Sequence, residues 1–259
     1  MGYIYCGLFL ISVGLLFAGN KANSAAQDVM FSIAINLLTS LIIIFVVDFN
    51  LEKKTKQIAE RQAKEAEFRQ IKSCHLIIEP LLAIYTLEYN QLTIPVDART
   101  KNGQYLPIEY ESLNNDFKLT DLRDVLSTDI TVYGKLGNSA LETYKAIYQK
   151  TIDAFSNMLS LCECKHYPEI AEVVSDIVTF SNEPNSIDSL CAFQCNASII
   201  NTLNGMLDSY KGNPEDDFNE NKYSGSLFIH YILLYRHLTG MRMKVSRYLS
   251  IIKSLNEGV

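Results

Sequence analysis

The sequence predicts an all-α protein: an N-terminal two-helix transmembrane hairpin, a helical stalk, and a cytosolic helical bundle with at most one small β-hairpin. Three observations carry that prediction. Residues 1–18 and 30–47 contain no charge, residues 51–72 carry seven Lys or Arg, and from Thr120 onward apolar residues recur at helical spacing. The domains expected are 1–50 for the hairpin, 51–75 for the stalk and 76–259 for the cytosolic domain.

Each uncharged run spans eighteen residues, which as a helix reaches roughly 27 Å, close to the hydrocarbon thickness of a bilayer. No Lys or Arg precedes the first run and no cleavage site followed by a soluble region succeeds it, so a secretory signal is a poor fit. Lys53, Lys54, Lys56, Arg61, Lys64, Arg69 and Lys72 follow the second run, against Lys21 alone in the connecting loop. Positive residues stay on the cytoplasmic side. The expected topology is therefore a multi-pass protein of a bacterial inner membrane with both the N-terminus and the C-terminal domain in the cytoplasm.

Within the second span, Ser32, Asn36, Thr39 and Ser40 fall inside an arc of roughly 100° on a helical wheel, with Asn36 near the middle of the run. An amide in lipid needs a partner. Side-chain hydrogen bonds between spans contribute about 0.6 to 2 kcal/mol, enough to choose an interface. The polar arc either locks the two spans of one chain together, joins chains, or lines an aqueous path. The first span offers Gly7, Gly14 and Ala18 on one side for close approach. One hairpin cannot enclose a channel, so a pore requires a homo-oligomer.

Residues 51–70 are rich in Lys, Glu, Gln, Ala and Arg without Gly or Pro, a composition that favours helix throughout. Ala59, Ala63 and Ala66 give this stalk only a thin apolar face. The cluster Lys53, Lys54, Lys56 and Arg61 suits anionic lipid headgroups as well as a solvated helix surface. Residues 73–89 read as an apolar helix kinked at Pro80. The stretch "LTIPVDARTKNGQYLPIEY" holds Asn102-Gly103 between Pro95 and Pro107 and is the one candidate β-hairpin.

Farther on, Thr120 is placed to cap "DLRDVL", and Ser139 with Glu142 has the spacing of a capping box. Pro168 suits the first position of the next helix. A single helix is expected from Ser186 through Tyr210, and "KGNPEDDFNENKYSG" reads as an acidic loop. In the last helix Tyr231, Leu234, Leu238, Met241, Val245, Tyr248, Ile252 and Leu255 alternate spacings of three and four, the pattern of a packed seam. Residues 223–256 have no acidic member but include Arg236, Arg242, Lys244, Arg247 and Lys253. This basic face is either a solvated bundle surface or a docking face for an acidic partner, nucleic acid or a neighbouring subunit.

The net charge is −6, and the acidic excess falls after residue 73, which disfavours general nucleic-acid binding. Six cysteines in a reducing compartment are expected as free thiols. Cys162, Cys164, Cys191 and Cys195 could ligate zinc together, but their spacing and helical context favour packed thiols. His75 and Glu79, one helical turn apart, are a minimal metal pair. The chain lacks a Gly-rich phosphate loop, a Gly-x-Ser-x-Gly elbow, His-Glu-x-x-His and Cys-x-x-Cys. Neither an enzyme, a metal site nor a cofactor is expected.

The hairpin, the run "INLLTSLIIIFVVDFNLE", the Lys/Glu-rich helix after it and the helical body resemble the two-transmembrane effectors of bacterial anti-phage systems, especially the membrane effectors paired with retrons. The resemblance covers residues 1–75. It implies a toxin held silent by a reverse transcriptase and its RNA-linked DNA, then released on infection to compromise the inner membrane. On that basis the Arg236 to Lys253 face is the candidate contact for the nucleoprotein. The alternative expectation is a membrane-anchored scaffold that recruits cytosolic partners, its hairpin a passive tether.

Overall fold

The computed structural model describes residues 2–21, 24–94, 100–101, 104–105, 112–127, 138–193 and 196–257. These residues are overwhelmingly helical: α1 (Gly2–Gly19), α2 (Ser24–Thr93), α3 (Ala140–Leu161), α4 (Pro168–Ser181), α5 (Ile187–Phe193), α6 (Ala197–Ser209), α7 (Pro214–Asn219) and α8 (Ile229–Glu257). Two two-residue strands, β1 (Thr100–Lys101) and β2 (Gln104–Tyr105), pair antiparallel with Thr100 opposite Tyr105 and Lys101 opposite Gln104. Positions 102 and 103, where the hairpin turn is expected, and both Pro95 and Pro107 lie outside the described residues.

The chain divides into two compact units, residues 1–66 and 67–259. In the first, α1 runs antiparallel to the beginning of α2. Helix α2 is long and apolar enough there to cross a membrane, and only 6% of its most apolar window is buried within the protein, unlike the core helix of a soluble domain.

In the second unit α2 contributes Ile71, Ile78, Leu82, Tyr85, Tyr89 and Leu92 to the core, a stripe at spacings of three and four. Pro80 does not end the helix. Its ring lies on the exposed side, where the one lost backbone hydrogen bond leaves no buried carbonyl to satisfy. Helix α3 opens with the expected capping box: the Glu142 N–H donates to Ser139 Oγ at 3.2 Å and the Ser139 N–H donates to the Glu142 carboxylate at 3.2 Å. Contacts of Cys74 with Cys162 and of Tyr85 with Tyr144 set α2 and α3 antiparallel. The seam of α8 is buried from Tyr231 to Ile252 against α4 and its neighbours.

Three local expectations are corrected. Thr120 caps no α-helix, because residues 119–122 form a 3₁₀ turn in which the Lys118 N–H donates to Asp121 at 2.7 Å. Asp124 then enters the left-handed region at φ 59°, held by the Asn204 amide at 2.8 Å, and ends the turn. The helix expected from 186 to 210 is two helices, since Asn196 accepts from the Ile199 N–H and starts α6 anew. The acidic loop contains α7, with Asn213 as N-cap, Pro214 in its first turn and three carboxylates at its positive end.

His237 is among the buried polar residues. The imidazole of His237 is 2% exposed, stacked on Phe180 at 5.5 Å with its edge toward Tyr148 at 5.1 Å, and its Nε2 has no partner among the described residues. A Cβ at Gly240 would collide with the Phe180 ring, so glycine there admits the stack. Burial pushes the His237 pKa down from 6.5 to about 4. Between those values the unfolded chain binds a proton that the folded chain refuses, so stability rises with pH across that window. Acidification from pH 7 toward 4 should therefore remove up to about 3 kcal/mol through this group. The melting midpoint of His237→Leu, followed by circular dichroism in detergent, should fall less steeply over that range than that of the native chain.

Candidate functional site

The first unit places its polar residues on a definite side. In α1, Ser12 and Gly19 are buried, and a Cβ at Gly19 would come within 3.3 Å of Met30 Cβ and 3.7 Å of the Phe31 ring. In α2, Ala34 is wholly buried, flanked by the half-buried Met30, Phe31, Leu37, Leu38 and Leu41. The Tyr5 hydroxyl donates to the Asp48 carboxylate and ties the start of α1 to α2 two dozen residues into that helix. An apolar groove of about 360 Å³ runs between Tyr5, Cys6 and Phe9 on α1 and Leu38, Leu41, Ile42 and Phe45 on α2.

Ser32, Asn36, Thr39 and Ser40 are all exposed. At 100° per residue they surround the point opposite Ala34, so the arc turns away from α1. Among the described residues no side chain hydrogen-bonds to any of the four. Of the alternatives open for Asn36, a lock between the two helices of one chain is not formed. Nor do Gly7 and Gly14 make the close approach: a Cβ at either would meet nothing within 4 Å, and Ala18 is exposed. Ser12 and Gly19, also seven residues apart, take that role, which turns Gly7, Gly14 and Ala18 outward by roughly 140°.

Lys53, Lys54, Lys56 and Arg61 are exposed, with Lys56 paired to Glu52 one turn earlier at 2.8 Å. The basic face of α8 is engaged within its own unit. Arg236 donates to Glu215 at 3.0 Å and lies 3.5 Å over the Phe218 ring. Arg242 donates to the Asn115 carbonyl at 2.6 Å, and the Lys244 ammonium stands 5.1 Å from the Phe180 ring centre. Arg247 bridges Glu172 at 2.8 Å and Asp176 at 3.5 Å, and Lys253 reaches Glu257 at 4.0 Å. Arg236, Arg242, Lys244 and Arg247 thus tie α8 to α7, the segment 112–118 and α4, while the Lys253 pair lies within α8. Lys253 and Arg247 keep the most solvent contact.

The cysteines gather differently from the expected zinc set. Cys162, the C-cap of α3, has its sulfur 3.5 Å from that of Cys74 on α2, with Cys164 buried beside them at φ 50°. Cys191 sits half-buried on α5, and Cys195 is outside the described residues. Burial pushes the Cys162 thiol up to about 12 and raises Cys164 as well, so both stay protonated. His75 does not pair with Glu79; its Nδ1 lies 3.0 Å from the Tyr248 hydroxyl. Among the described residues no group of three or more His, Cys, Asp or Glu could hold a metal.

A contact invisible at sequence level closes this corner. The Glu67 carboxylate accepts from the His166 backbone N–H at 2.9 Å and lies 2.7 Å from its Nδ1, while the Gln70 amide donates to the Leu161 carbonyl. Glu67, Gln70, Ile71 and Cys74 share one helical face, the only hint in an otherwise solvated stretch. Removing the carboxylate in Glu67→Ala leaves the part-buried N–H and imidazole without their acceptor and should cost about 1 to 3 kcal/mol. Chemical unfolding should show a smaller loss for Glu67→Gln, which keeps an oxygen there. No family model, curated protein or solved structure matches this chain.

Proposed function

We propose that the chain is a membrane effector: residues 1–50 insert as a two-span hairpin in a bacterial inner membrane, copies assemble, and the assembly disrupts the membrane to abort phage infection under control of the helical body. The supporting observation is the outward polar arc Ser32, Asn36, Thr39 and Ser40, which a passive tether does not need and which lipid does not satisfy. On an isolated hairpin these groups would face hydrocarbon, and a second copy can return their hydrogen bonds at about 0.6 to 2 kcal/mol each.

The opposite rim of the hairpin favours the same assembly. Gly7, Gly14 and Ala18 on α1 point outward with room above them, so the polar arc of one copy can approach the small-residue face of the next. Head-to-tail contacts of this kind generate a ring when the rotation between copies closes. The charge asymmetry between Lys21 and the seven cations of residues 51–72 supports a cytoplasmic body. The resemblance to retron-associated effectors supplies the controlling partner in this reading, a reverse transcriptase with its RNA-linked DNA. With Arg236 and Arg247 in ion pairs and Arg242 bonded to the Asn115 carbonyl, that partner would have to exchange these contacts to use the α8 face.

The test is induction of the native chain alone, with membrane potential and dye entry followed in cells. Asn36→Leu should keep the protein in the membrane fraction and cut depolarisation at least tenfold. Replacing residues 1–50 by an unrelated two-span anchor should abolish it. Full activity in the anchor swap would establish the scaffold reading instead.

A further inference from the structure

Five of the six cysteines fall among the described residues, and three of them meet at one corner of the body. The sulfurs of Cys74 and Cys162 stand 3.5 Å apart although the residues are 88 positions apart in sequence. Cys164 is buried next to them and hydrogen-bonds to Cys162. The same corner is where the second unit begins, at residue 67. There Glu67 holds His166 and Gln70 holds the Leu161 carbonyl, so Glu67, Gln70 and Cys74 on one face of α2 all grip the segment 161–166. Access to the sulfurs is one-sided. Cys74, 8% exposed, lines a groove of about 510 Å³ between α2 and α3, and neither Cys162 nor Cys164 is among its lining residues.

We propose that Cys74 and Cys162 are a redox-sensitive pair: a peroxide entering the groove oxidises them to a disulfide that fastens α2 to the end of α3, and a thiol reductant releases it. The steps balance with hydrogen peroxide as the oxidant. The Cys74 thiol gives its proton to water and the thiolate attacks one peroxide oxygen. The O–O bond breaks, hydroxide leaves and takes up a proton, and Cys74 carries a sulfenic acid. The Cys162 sulfur then attacks the Cys74 sulfur; the S–S bond forms, the S–O bond breaks, and the oxygen departs as water with the Cys162 proton. Two thiols and one hydrogen peroxide thus become one disulfide and two waters. The order of attack follows from the surroundings, since burial holds the Cys162 thiol protonated and Cys74 is the one that lines the groove. A disulfide of about 2.05 Å requires the sulfurs to draw closer. Cys162 can supply that movement, because it is the C-cap of α3 and its backbone has already turned extended, at φ −108° and ψ 120°. Disulfides in a reducing compartment are usually transient and redox-sensing, so the resting form of the pair is the two thiols.

The full chain, purified reduced in detergent, is treated with excess hydrogen peroxide, alkylated, and digested with trypsin and a glutamate-specific protease. Mass spectrometry should find a peptide pair joined through Cys74 and Cys162, and cleavage after Glu163 separates Cys162 from Cys164 for the assignment. Because the bond closes a loop across 88 positions, the melting midpoint should rise by roughly 10 °C on oxidation and return with dithiothreitol. That comparison uses the native chain alone, so a variant that folds poorly cannot mimic or mask it. Cys162→Ala should lose both the joined peptides and the shift, whereas Cys191→Ala should keep both. These readouts do not involve membrane depolarisation, so they stand or fall apart from the effector reading. Cys74 recovered unjoined, a bond between Cys162 and Cys164 in its place, or a joined pair that leaves the midpoint unmoved or lowers it would each overturn the proposal.

Discussion

The constraint on which the rest of the structure depends is the solvent required by the first fifty residues. Two uncharged helices pack on each other through Ser12, Gly19 and Ala34 and leave most of their remaining apolar surface uncovered. Water makes that surface costly at about 25 cal/mol per Å², while hydrocarbon makes it neutral. Hydrocarbon also inverts the value of the polar arc, since an amide indifferent to position on a wet surface becomes the strongest directional group available in lipid. In hydrocarbon Asn36 would be the group in this arc with the most to gain from a partner.

The body buries an aromatic core, and several of its polar residues orient one helix against another. Tyrosines from three helices fill its centre, with Tyr85 and Tyr144 sharing a hydrogen bond at 3.3 Å and Tyr248 edge-on to Phe155 at 4.9 Å. His237 is held neutral between rings, and the thiols of Cys162 and Cys164 are held protonated. Charge appears instead at the perimeter, where Arg236, Arg242 and Arg247 fasten α8 to three different elements.

What was legible in the sequence was whatever repeats. The seam of α8, the capping box of α3 and the uncharged runs each carry several residues at fixed spacing, and each is found where the spacing puts it. Single residues that compete for the backbone were not legible. Asn196 and Asn213 start helices inside stretches that average out as one helix or as a loop, and Asp124 ends a turn that propensity would continue. The polar arc could be drawn on a wheel, but its direction could not. Helix α1 has two small-residue faces of equal heptad spacing, and only packing decides that Ser12 and Gly19 turn inward. The Glu67 clamp on His166 joins residues 99 positions apart, a separation at which pattern is silent.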